Sequence, residues 1–337
     1  MEELKDFLAH YNISRKNFNS TGLDWSKLLK IMDDYDVFKQ ELTTSANHLI
    51  EVFHNVKTIH SVRFRIKNPR HLIEKIIRKR IEEPDRIIDI NNYRLEITDL
   101  IGLRALHLFK EDWVHIHNFI TKAWNLKEEP VAYYRSGDSR EHIEVFKKYG
   151  CVVKEHPFGY RSVHYLVEAN HNKTTYITEV QVRTIFEEGW SEIDHKIRYP
   201  YDRDNKLLSQ FLEMFNRLSG NADEMGSYVK YLKRELDKRE IEFKKAVKKK
   251  ISIIEDLKTR IKELELKPKV ALQLESELNE ILKLPSLDIS NFEFKLPDLS
   301  MDKISDLSKI EFPDLSKELP TIELKAKRSS SKKKKEK

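Results

Sequence analysis

The chain has 337 residues, of which 35% are charged and 39% hydrophobic, enough for one sizeable catalytic domain with extensions or for two modest domains. A single cysteine, Cys151, excludes an intrachain disulfide framework and a four-thiol zinc site. With only 8 glycines and 10 prolines, a loop-rich all-β protein is disfavoured and a helical majority is expected.

The net charge of +6 comes from the end of the chain. Residues 325–337 contain eight Lys or Arg and one acid, a net charge of +7, whereas the remainder has 54 basic and 55 acidic residues. We interpret this tail as solvated, disordered chain; the alternative is a specific contact with RNA, tRNA included, or with a membrane surface. The lack of a secretory signal pattern and of a bilayer-spanning apolar run predicts a cytoplasmic protein that does not insert into a membrane.

Residues 1–58 are predicted to form a helical lead-in, because apolar residues such as Leu28, Ile31 and Val37 recur near helical spacing. Residues 59–225 are predicted to form a mixed α/β domain in which short β-rich runs alternate with helices. Its predicted strands are Val62–Ile66, Leu103–Phe109, Val163–Val167 and Thr175–Val182.

Residues 226–283 are predicted to form a long helix or coiled coil. With Val229 at the first a position and Leu232 at the first d position, eight of eleven core positions are apolar, and Pro268 is expected to interrupt the helix. Residues 284–324 repeat a short Asp-Leu-Ser unit every eight residues, which predicts extended or disordered chain, with a docking segment as the alternative. The basic tail, 325–337, follows.

Cations cluster on the first predicted strand and on the helix after it. Arg63, Arg65 and Lys67 share one face of the strand. The helix, predicted from about 69 to 81, has a buried stripe of Leu72, Ile73, Ile76 and Ile77. Another face of that helix carries His71, Lys75 and Arg78. Such an arrangement suits a triphosphate, since Arg and Lys neutralise and orient its oxygens; the alternative is an ordinary solvated basic face.

Polar groups also stand at the ends and on the faces of later strands. Asp99 precedes an apolar strand, where a carboxylate can hold Mg²⁺ at the end of a sheet or simply cap a turn. In the run 178–184 the valines are predicted to point into the core. The opposite face of this strand carries Glu179, Gln181 and Arg183, which indicates a site more than display to solvent.

A third strand face is predicted to carry Tyr160, Ser162 and His164. Tyr160 is suited to stack on a base and His164 to donate to phosphate or ribose; the alternative is a core aromatic and a surface histidine. Thr184 and Glu187 predict a capping box at the start of a helix. The buried stripe of that helix is predicted to be Phe186, Trp190, Ile193 and Ile197.

The order of these motifs resembles that of the RelA/SpoT synthetase domain over roughly residues 40–225, about half of the chain. The matching residues are Arg65, Lys67 and Lys75; Asp99, Gly102 and Arg104; Gly159, Tyr160, Ser162 and His164; Glu179, Gln181, Arg183 and Thr184; and Trp190, Asp194 and His195. His71 stands where the family usually has Ser, and Asp194 replaces the commoner Glu. No His-Asp dipeptide is present, so we expect a short, single-activity protein similar to small alarmone synthetases, with its own C-terminal extension.

The resemblance implies a nucleotidyltransferase-like mixed β-sheet flanked by helices, followed by the long helix and the low-complexity tail. It implies transfer of the pyrophosphoryl group of ATP to the 3′-hydroxyl of GDP or GTP, with release of AMP and Mg²⁺ as cofactor. The implied catalytic residues are Asp99, Glu179, Arg104 and Gln181, the first two also holding the metal. The implied ATP-binding residues are Arg63, Arg65, Lys67, His71, Lys75 and Arg78. The implied acceptor-binding residues are Tyr160, Ser162, His164, Arg183, Asp194 and His195.

Two other functions remain open from the sequence. A toxin-type relative would place pyrophosphate on the 3′ end of tRNA, or make adenine alarmones, with the same catalytic residues. The second is a nucleotide-sensing protein without catalytic activity, whose function would be carried by the long helix (226–283) and the repeat (284–324). The heptad segment also leads us to expect a homo-oligomer and a docking place for a regulatory protein.

Overall fold

The computed structural model describes residues 4–171, 174–198, 206–263 and 268–283. In chain order the helices and strands are α1 (Leu4–His10), α2 (Arg15–Ser20), α3 (Trp25–His54), β1 (Ser61–Ile66), α4 (Pro69–Glu82), α5 (Tyr93–Glu96), β2 (Ile101–His107), α6 (Trp113–Ala123), β3 (Asn125–Leu126), β4 (Val131–Tyr134), α7 (Arg140–Lys148), β5 (Val152–Glu155), β6 (Ser162–His171), β7 (Thr174–Thr184), α8 (Ile185–Arg198), α9 (Lys206–Glu263) and α10 (Pro268–Lys283). The predicted repeat (284–324) and basic tail (325–337) lie outside the described residues.

The described strands form one mixed sheet in the order β1-β2-β7-β6-β4-β5, with β3 paired to β6. β2 runs parallel to β7 and β4 parallel to β5, whereas the other neighbours are antiparallel. The predicted fold class, a mixed sheet flanked by helices and followed by a long helix, is confirmed. The four predicted strands correspond to β1, β2, β6 and β7. The short strands β3, β4 and β5 were not predicted, because so few residues carry little periodic signal.

The strand register places polar residues in two rows across one face of the sheet. One row consists of Arg63, Arg104, Gln181 and His164, and the next of Arg65, Gly102 and Glu179. Side chains alternate between the two faces of a strand, so the residues between them point the other way. Val180 and Val182 are buried there, as predicted.

The long helix α3 packs against β1 and α4 and supplies much of the first core. Its buried stripe is Leu28, Ile31, Tyr35, Phe38, Leu42, Ala46, Leu49 and Phe53. Val37, which the apolar pattern had suggested for this stripe, is exposed, because Tyr35 and Phe38 occupy the positions that face the core. The Tyr35 hydroxyl donates to the Lys67 carbonyl oxygen at 2.8 Å, which ties the end of β1 to α3.

A second core lies between α6 and the sheet. The Trp113 indole N–H donates to the Tyr165 hydroxyl at 3.0 Å, and Phe53 stacks on Trp124 with ring centroids 5.2 Å apart. Cys151 is buried in this cluster, and burial raises the pKa of its thiol to about 11.

Helix α8 begins with the predicted capping box. The Thr184 amide donates to Glu187 Oε2 at 2.8 Å, and the Glu187 amide donates to Thr184 Oγ1 at 3.1 Å. Two orphan donors at the helix start are thereby satisfied. The helix directly continues β7, so this box fixes its direction relative to the sheet.

The buried stripe predicted for α8 is largely wrong. Trp190 is buried, and its indole N–H donates to the Leu212 carbonyl oxygen at 2.9 Å. Phe186, Ile193 and Ile197, however, are all exposed. The helix turns a polar face toward the sheet instead, because the sheet face opposite it carries arginines that require carboxylate partners.

Helix α9 is a continuous helix of 58 residues. It ends at Glu263, and α10 begins at Pro268. Proline suits the first position of a helix, because the N–H that it lacks would have no hydrogen-bond partner within the helix. Helix α10 contacts α9, and Lys258 Nζ on α9 donates to Asn279 Oδ1 on α10 at 2.7 Å. On α9, Ile254 is buried, whereas Ile253, which the heptad pattern predicts at a core position, is exposed. Among the described helices, none has the length and apolar character needed to cross a bilayer.

The first part of α9 packs against the sheet domain through a buried carboxylate. Asp223 is fully buried, and its Oδ2 accepts from the Thr184 hydroxyl at 2.9 Å. Burial, reinforced by the charge of Glu187, raises the pKa of Asp223 to about 7. At neutral pH this carboxyl is therefore close to half-protonated in the folded state.

This raised pKa predicts a pH-dependent stability. Between pH 3.8 and about 7 the folded state retains a proton on Asp223 that the unfolded chain has released, so the free energy of unfolding falls as pH rises. One such group contributes at most about 1.4 kcal/mol per pH unit. The variant Asp223→Asn, which still accepts from Thr184, is expected to lack this contribution and to be more stable at about pH 8. Urea unfolding at several pH values measures the free energy of unfolding of both proteins. If that free energy changes with pH equally in the wild type and in Asp223→Asn, the prediction is contradicted.

Candidate active site

A cleft of about 440 Å³ lies between the polar rows of the sheet and helix α8. It is lined by Arg63, Phe64, Arg65, Gly102, Arg104, Tyr160, Gln181, Arg183, Ser191, Glu192 and His195. Arg65 is the cross-strand partner of Gly102, and a Cβ at this glycine would lie in van der Waals contact with Cγ and Nε of Arg65, at 3.4 Å. The Arg65 side chain therefore lies across β2.

The carboxylate of Glu188 lies beneath the cleft and joins its arginines. It contacts Arg63 Nη2, lies 2.9 Å from Arg104 Nη1 and lies 2.7 Å from Arg183 Nε. The side chains of Glu188 and Arg183 are only 9% and 1% exposed, so neither charge is compensated by water. Arg183 also donates to Ser191 Oγ at 2.9 Å. A buried ion needs such partners, which makes Glu188 the residue that holds the three guanidinium groups together.

Glu192, one turn farther along α8, reaches the same arginines from the solvent side. It contacts Arg104 and lies 3.4 Å from Arg63 Nη2, while its own side chain is 38% exposed. Burial opposes ionisation of Glu192, but the contacts with Arg104 and Arg63 outweigh it and lower its pKa. The two arginines thus already enclose an anion at the mouth of the cleft.

Asp99 is held between two lysines next to this cleft. Its Oδ2 lies 2.8 Å from both Lys67 Nζ and Lys75 Nζ. Burial opposes ionisation of Asp99, but the charges of the two lysines prevail and lower its pKa. The other oxygen, Oδ1, is buried and has no hydrogen-bond partner among the described residues. A buried carboxylate oxygen without a donor is suited to a cation.

Glu179 and His164 form a chain of hydrogen bonds on the adjoining strands. Glu179 Oε2 accepts from Gln181 Nε2 at 2.9 Å, and Oε1 lies 3.3 Å from His164 Nδ1. His164 Nε2 lies 2.9 Å from the Tyr160 hydroxyl. A neutral ring protonated at Nδ1 satisfies both neighbours, since it donates to Glu179 and accepts from Tyr160.

Asp99 and Glu179 are the residues that fit a divalent metal. The pKa of Glu179 is lowered overall. Burial raises it and the hydrogen bond from His164, which prevails, lowers it, while the negative charge of Asp99 also raises it. No group of three or more His, Cys, Asp or Glu suited to a metal occurs among the described residues. Two carboxylates fit Mg²⁺, which takes its other ligands from phosphates and water.

Aromatic rings surround the loop before β6. Tyr160 lies 5.4 Å from His156 and 6.0 Å from Tyr133 between ring centroids, and Phe158 at the rim is 51% exposed. The Arg183 guanidinium lies 5.3 Å from the Tyr160 centroid. The loop thus presents an aromatic surface beside the cations, suited to a planar base.

Nine of the residues expected at the site do not line the cleft. Five of them form the groups around Asp99 and Glu179 described above: Asp99, Lys67, Lys75, Glu179 and His164. The other four are His71, Arg78, Ser162 and Asp194. His71 contacts Tyr11 at 5.6 Å between ring centroids. Arg78 is exposed and lies 3.6 Å from Glu74 on its own helix. The Ser162 hydroxyl is buried and donates to the Val182 carbonyl oxygen at 3.3 Å, and Asp194 is not among the lining residues.

Sequence reasoning missed Glu188 and Glu192. Their spacing carried a signal, because Thr184, Glu188, Ser191 and His195 repeat at helical intervals and lie on one face of α8. The predicted apolar stripe of α8 obscures this signal, because it implies that the charged side of the helix faces away from the core.

Comparison with known proteins identifies the segment that carries most of the cleft. Residues 64–204 match the protein family described as the region found in RelA / SpoT proteins. The GTP pyrophosphokinase YwaC of Bacillus subtilis (strain 168) is 24% identical over 178 residues, which cover 51% of this chain and 74% of the relative.

Solved structures were found as well. A GTP pyrophosphokinase family protein from Streptococcus pneumoniae is 20% identical, with a TM-score of 0.46, over 60% of this chain and 96% of that one. The small alarmone synthetase 1 from Bacillus subtilis is 20% identical, with a TM-score of 0.44, over 60% of this chain and 99% of that one. The segment that carries Arg104, Glu179 and Glu188 thus matches the region found in RelA / SpoT proteins, over residues 64–204 of this chain.

Proposed function

We propose that the domain is a pyrophosphokinase that transfers the β,γ-pyrophosphoryl group of ATP to the 3′-hydroxyl of GDP or GTP and releases AMP. The observation that carries this proposal is the cleft itself, in which arginines of adjacent strands meet beside the carboxylates Asp99 and Glu179 and an aromatic loop. The RelA/SpoT region and the curated relative named a GTP pyrophosphokinase support it.

The cations bind the triphosphate of the donor. Arg63, Arg65 and Arg104 line the cleft, and Lys67 and Lys75 flank it around Asp99. Guanidinium groups suit phosphate because they donate in a planar fork, and lysines add point charges. When the triphosphate enters, its oxygens replace the Glu192 carboxylate between Arg63 and Arg104. Glu188 stays in place and keeps the arginines oriented.

Asp99 and Glu179 would hold Mg²⁺, which supplies charge neutralisation at the reacting phosphates. The acceptor oxygen attacks the β-phosphorus, the bond from that phosphorus to the bridging oxygen of AMP breaks, and the 3′-hydroxyl loses its proton. We assign the receipt of this proton to Glu179, whose Oε1 lies 3.3 Å from His164 Nδ1. Most of the catalysis then comes from positioning and from preorganised charge.

The acceptor base stacks on Tyr160. The Tyr160 hydroxyl is hydrogen-bonded to His164, whose ring also contacts Glu179. Tyr160, which stacks on the base, and Glu179, which lies at the reacting phosphates, are therefore joined through His164. We assign Arg183 and His195 to the acceptor phosphates, as a positive charge and a hydrogen-bond donor. Glu188 holds Arg183 beside the Tyr160 ring, and His195 lines the same cleft.

The test is a transfer assay with ATP labelled at the γ-phosphate, Mg²⁺, and GDP, GTP, ATP or bulk tRNA as separate acceptors. We expect label on a guanine nucleotide, an equal amount of AMP, and no transfer when EDTA replaces Mg²⁺. Label found only on tRNA or only on ATP would agree with pyrophosphoryl transfer but refute a guanine nucleotide as the acceptor. Absence of transfer to every acceptor would refute the pyrophosphokinase.

A further inference from the structure

The loop that carries Tyr160 is held by a residue of α9. Asn216 is only 1% exposed and uses both ends of its side-chain amide. Its Nδ2 donates to the Gly159 carbonyl oxygen at 2.9 Å, and its Oδ1 accepts from Arg161 Nη1 at 2.7 Å. One side chain therefore holds the residues immediately before and after Tyr160.

Arg161 is fixed from the other side as well. Its Nη2 and Nε donate to the two carboxylate oxygens of Asp138 at 2.6 and 2.7 Å. Asp138 Oδ2 also accepts from the Arg135 amide at 2.9 Å. A buried guanidinium with a bidentate partner and an amide partner has little freedom to move. The loop is thus clamped between α9 and the segment after β4.

Two glycines permit this close approach. Gly159 has a φ of +75°, and a Cβ there would lie 3.0 Å from Asn216 Nδ2 and 3.1 Å from the Arg135 side chain. On α9, a Cβ at Gly220 would lie 3.3 Å from Arg161 Nη2. An added carbon at either glycine would be closer to its neighbours than an ordinary van der Waals contact, so the position of α9 and the position of the loop depend on each other.

We infer that Asn216 is a positioning residue for acceptor binding, acting through Gly159 and Arg161 on the ring of Tyr160. The inference rests on the proposed function in assigning Tyr160 to the acceptor. Asn216 lies on α9, beyond the segment 64–204 that matches the RelA/SpoT region, so we infer that the long helix helps to position the acceptor site.

Removing the amide should separate the two substrates kinetically. In the full chain, Asn216→Ala is expected to raise the KM for the acceptor about tenfold, the effect of a lost buried hydrogen bond, and to leave the KM for ATP within about twofold. The ATP-binding arginines and lysines do not contact Asn216. Arg217→Ala is the matched control, because the neighbouring Arg217 is exposed and pairs with Glu213 on the helix surface. It is expected to behave as the wild type.

Gly220→Ala is a second variant that improves helix propensity and yet crowds Arg161. It is expected to raise the acceptor KM without lowering the thermal midpoint. A general loss of structure would lower that midpoint instead, so this variant separates positioning from folding.

Amide hydrogen exchange gives a readout that does not require activity. Without nucleotide, the amides of residues 156–162 are expected to exchange faster in Asn216→Ala than in the wild type, while those of β2 stay unchanged. The inference would be overturned if Asn216→Ala had the same amide exchange and the same acceptor KM as the wild type. It would also be overturned if the variant exchanged faster throughout the chain and lost kcat while both KM values stayed unchanged, because that pattern indicates a general loss of structure. Should the wild type transfer no label at all, the proposed function fails, and exchange alone decides whether Asn216 holds the loop.

Discussion

Glu179→Gln is expected to lower pyrophosphoryl transfer at least about a thousandfold, because several kcal/mol of charge stabilisation at the reacting phosphates depend on this carboxylate. The amide retains the shape of the side chain and one oxygen to accept from His164 or Gln181. The thermal midpoint should therefore change by only a few degrees. Asp99→Asn is expected to lose transfer to a similar degree, and it also leaves Lys67 and Lys75 without their shared counter-charge.

The measurement is kcat/KM with the acceptor identified by the transfer assay, together with the thermal midpoint of each protein. Glu155→Gln is the matched control, since Glu155 lies exposed on β5 and does not line the cleft. It should retain the activity of the wild type. If Glu179→Gln kept more than about a tenth of the wild-type activity, the carboxylate would not belong to the reacting centre.

The largest effect on stability is expected at Glu188. Glu188→Ala leaves Arg183, whose side chain is 1% exposed, with its charge buried and its main partner gone. Breaking a buried ion pair from one side costs about 3 kcal/mol or more in the free energy of unfolding. The same change frees Arg63 and Arg104, so the KM for ATP should rise as well.

Urea unfolding followed by tryptophan fluorescence tests this expectation. Glu192→Ala provides the comparison, because Glu192 contacts the same two outer arginines but is 38% exposed. Its removal should cost less than about 1 kcal/mol, as is usual for exposed pairs. Equal destabilisation by the two substitutions would show that Glu188 does not carry the buried charge balance of the cleft.

Much of the fold could be predicted because its elements have a clear period. The apolar residues Leu72, Ile73, Ile76 and Ile77 mark α4 unambiguously, and the alternation through 178–184 marks β7 together with its polar face. Helix α8 was misjudged for a physical reason. Its buried face is charged, and a charged face is ordinarily the exposed one unless a partner surface of opposite charge covers it. The sequence alone does not say that β1, β2 and β7 provide such a surface.

The cations and carboxylates of the cleft could be predicted because they stand within short motifs. The contacts that orient them are long-range and leave no local pattern. Gly159 and Asn216 are 57 residues apart, and Arg63 and Glu188 are 125 apart. The ring of His71 likewise contacts Tyr11, a neighbour that the helix face it shares with Lys75 does not reveal. Spacing on one helix places a residue on a side of that helix, whereas the neighbouring element decides what the side chain meets.

The burial of Cys151 has a practical consequence for spectroscopy. A thiol reacts with maleimide as its thiolate, which attacks the alkene of the reagent, and this thiol is both covered and kept protonated by a pKa of about 11. Because the chain has no other cysteine, the natural sequence already serves as a silent background for labelling. A cysteine introduced at the exposed Lys154, two residues before His156, would take up a fluorophore selectively and report changes around the aromatic loop when nucleotide is added.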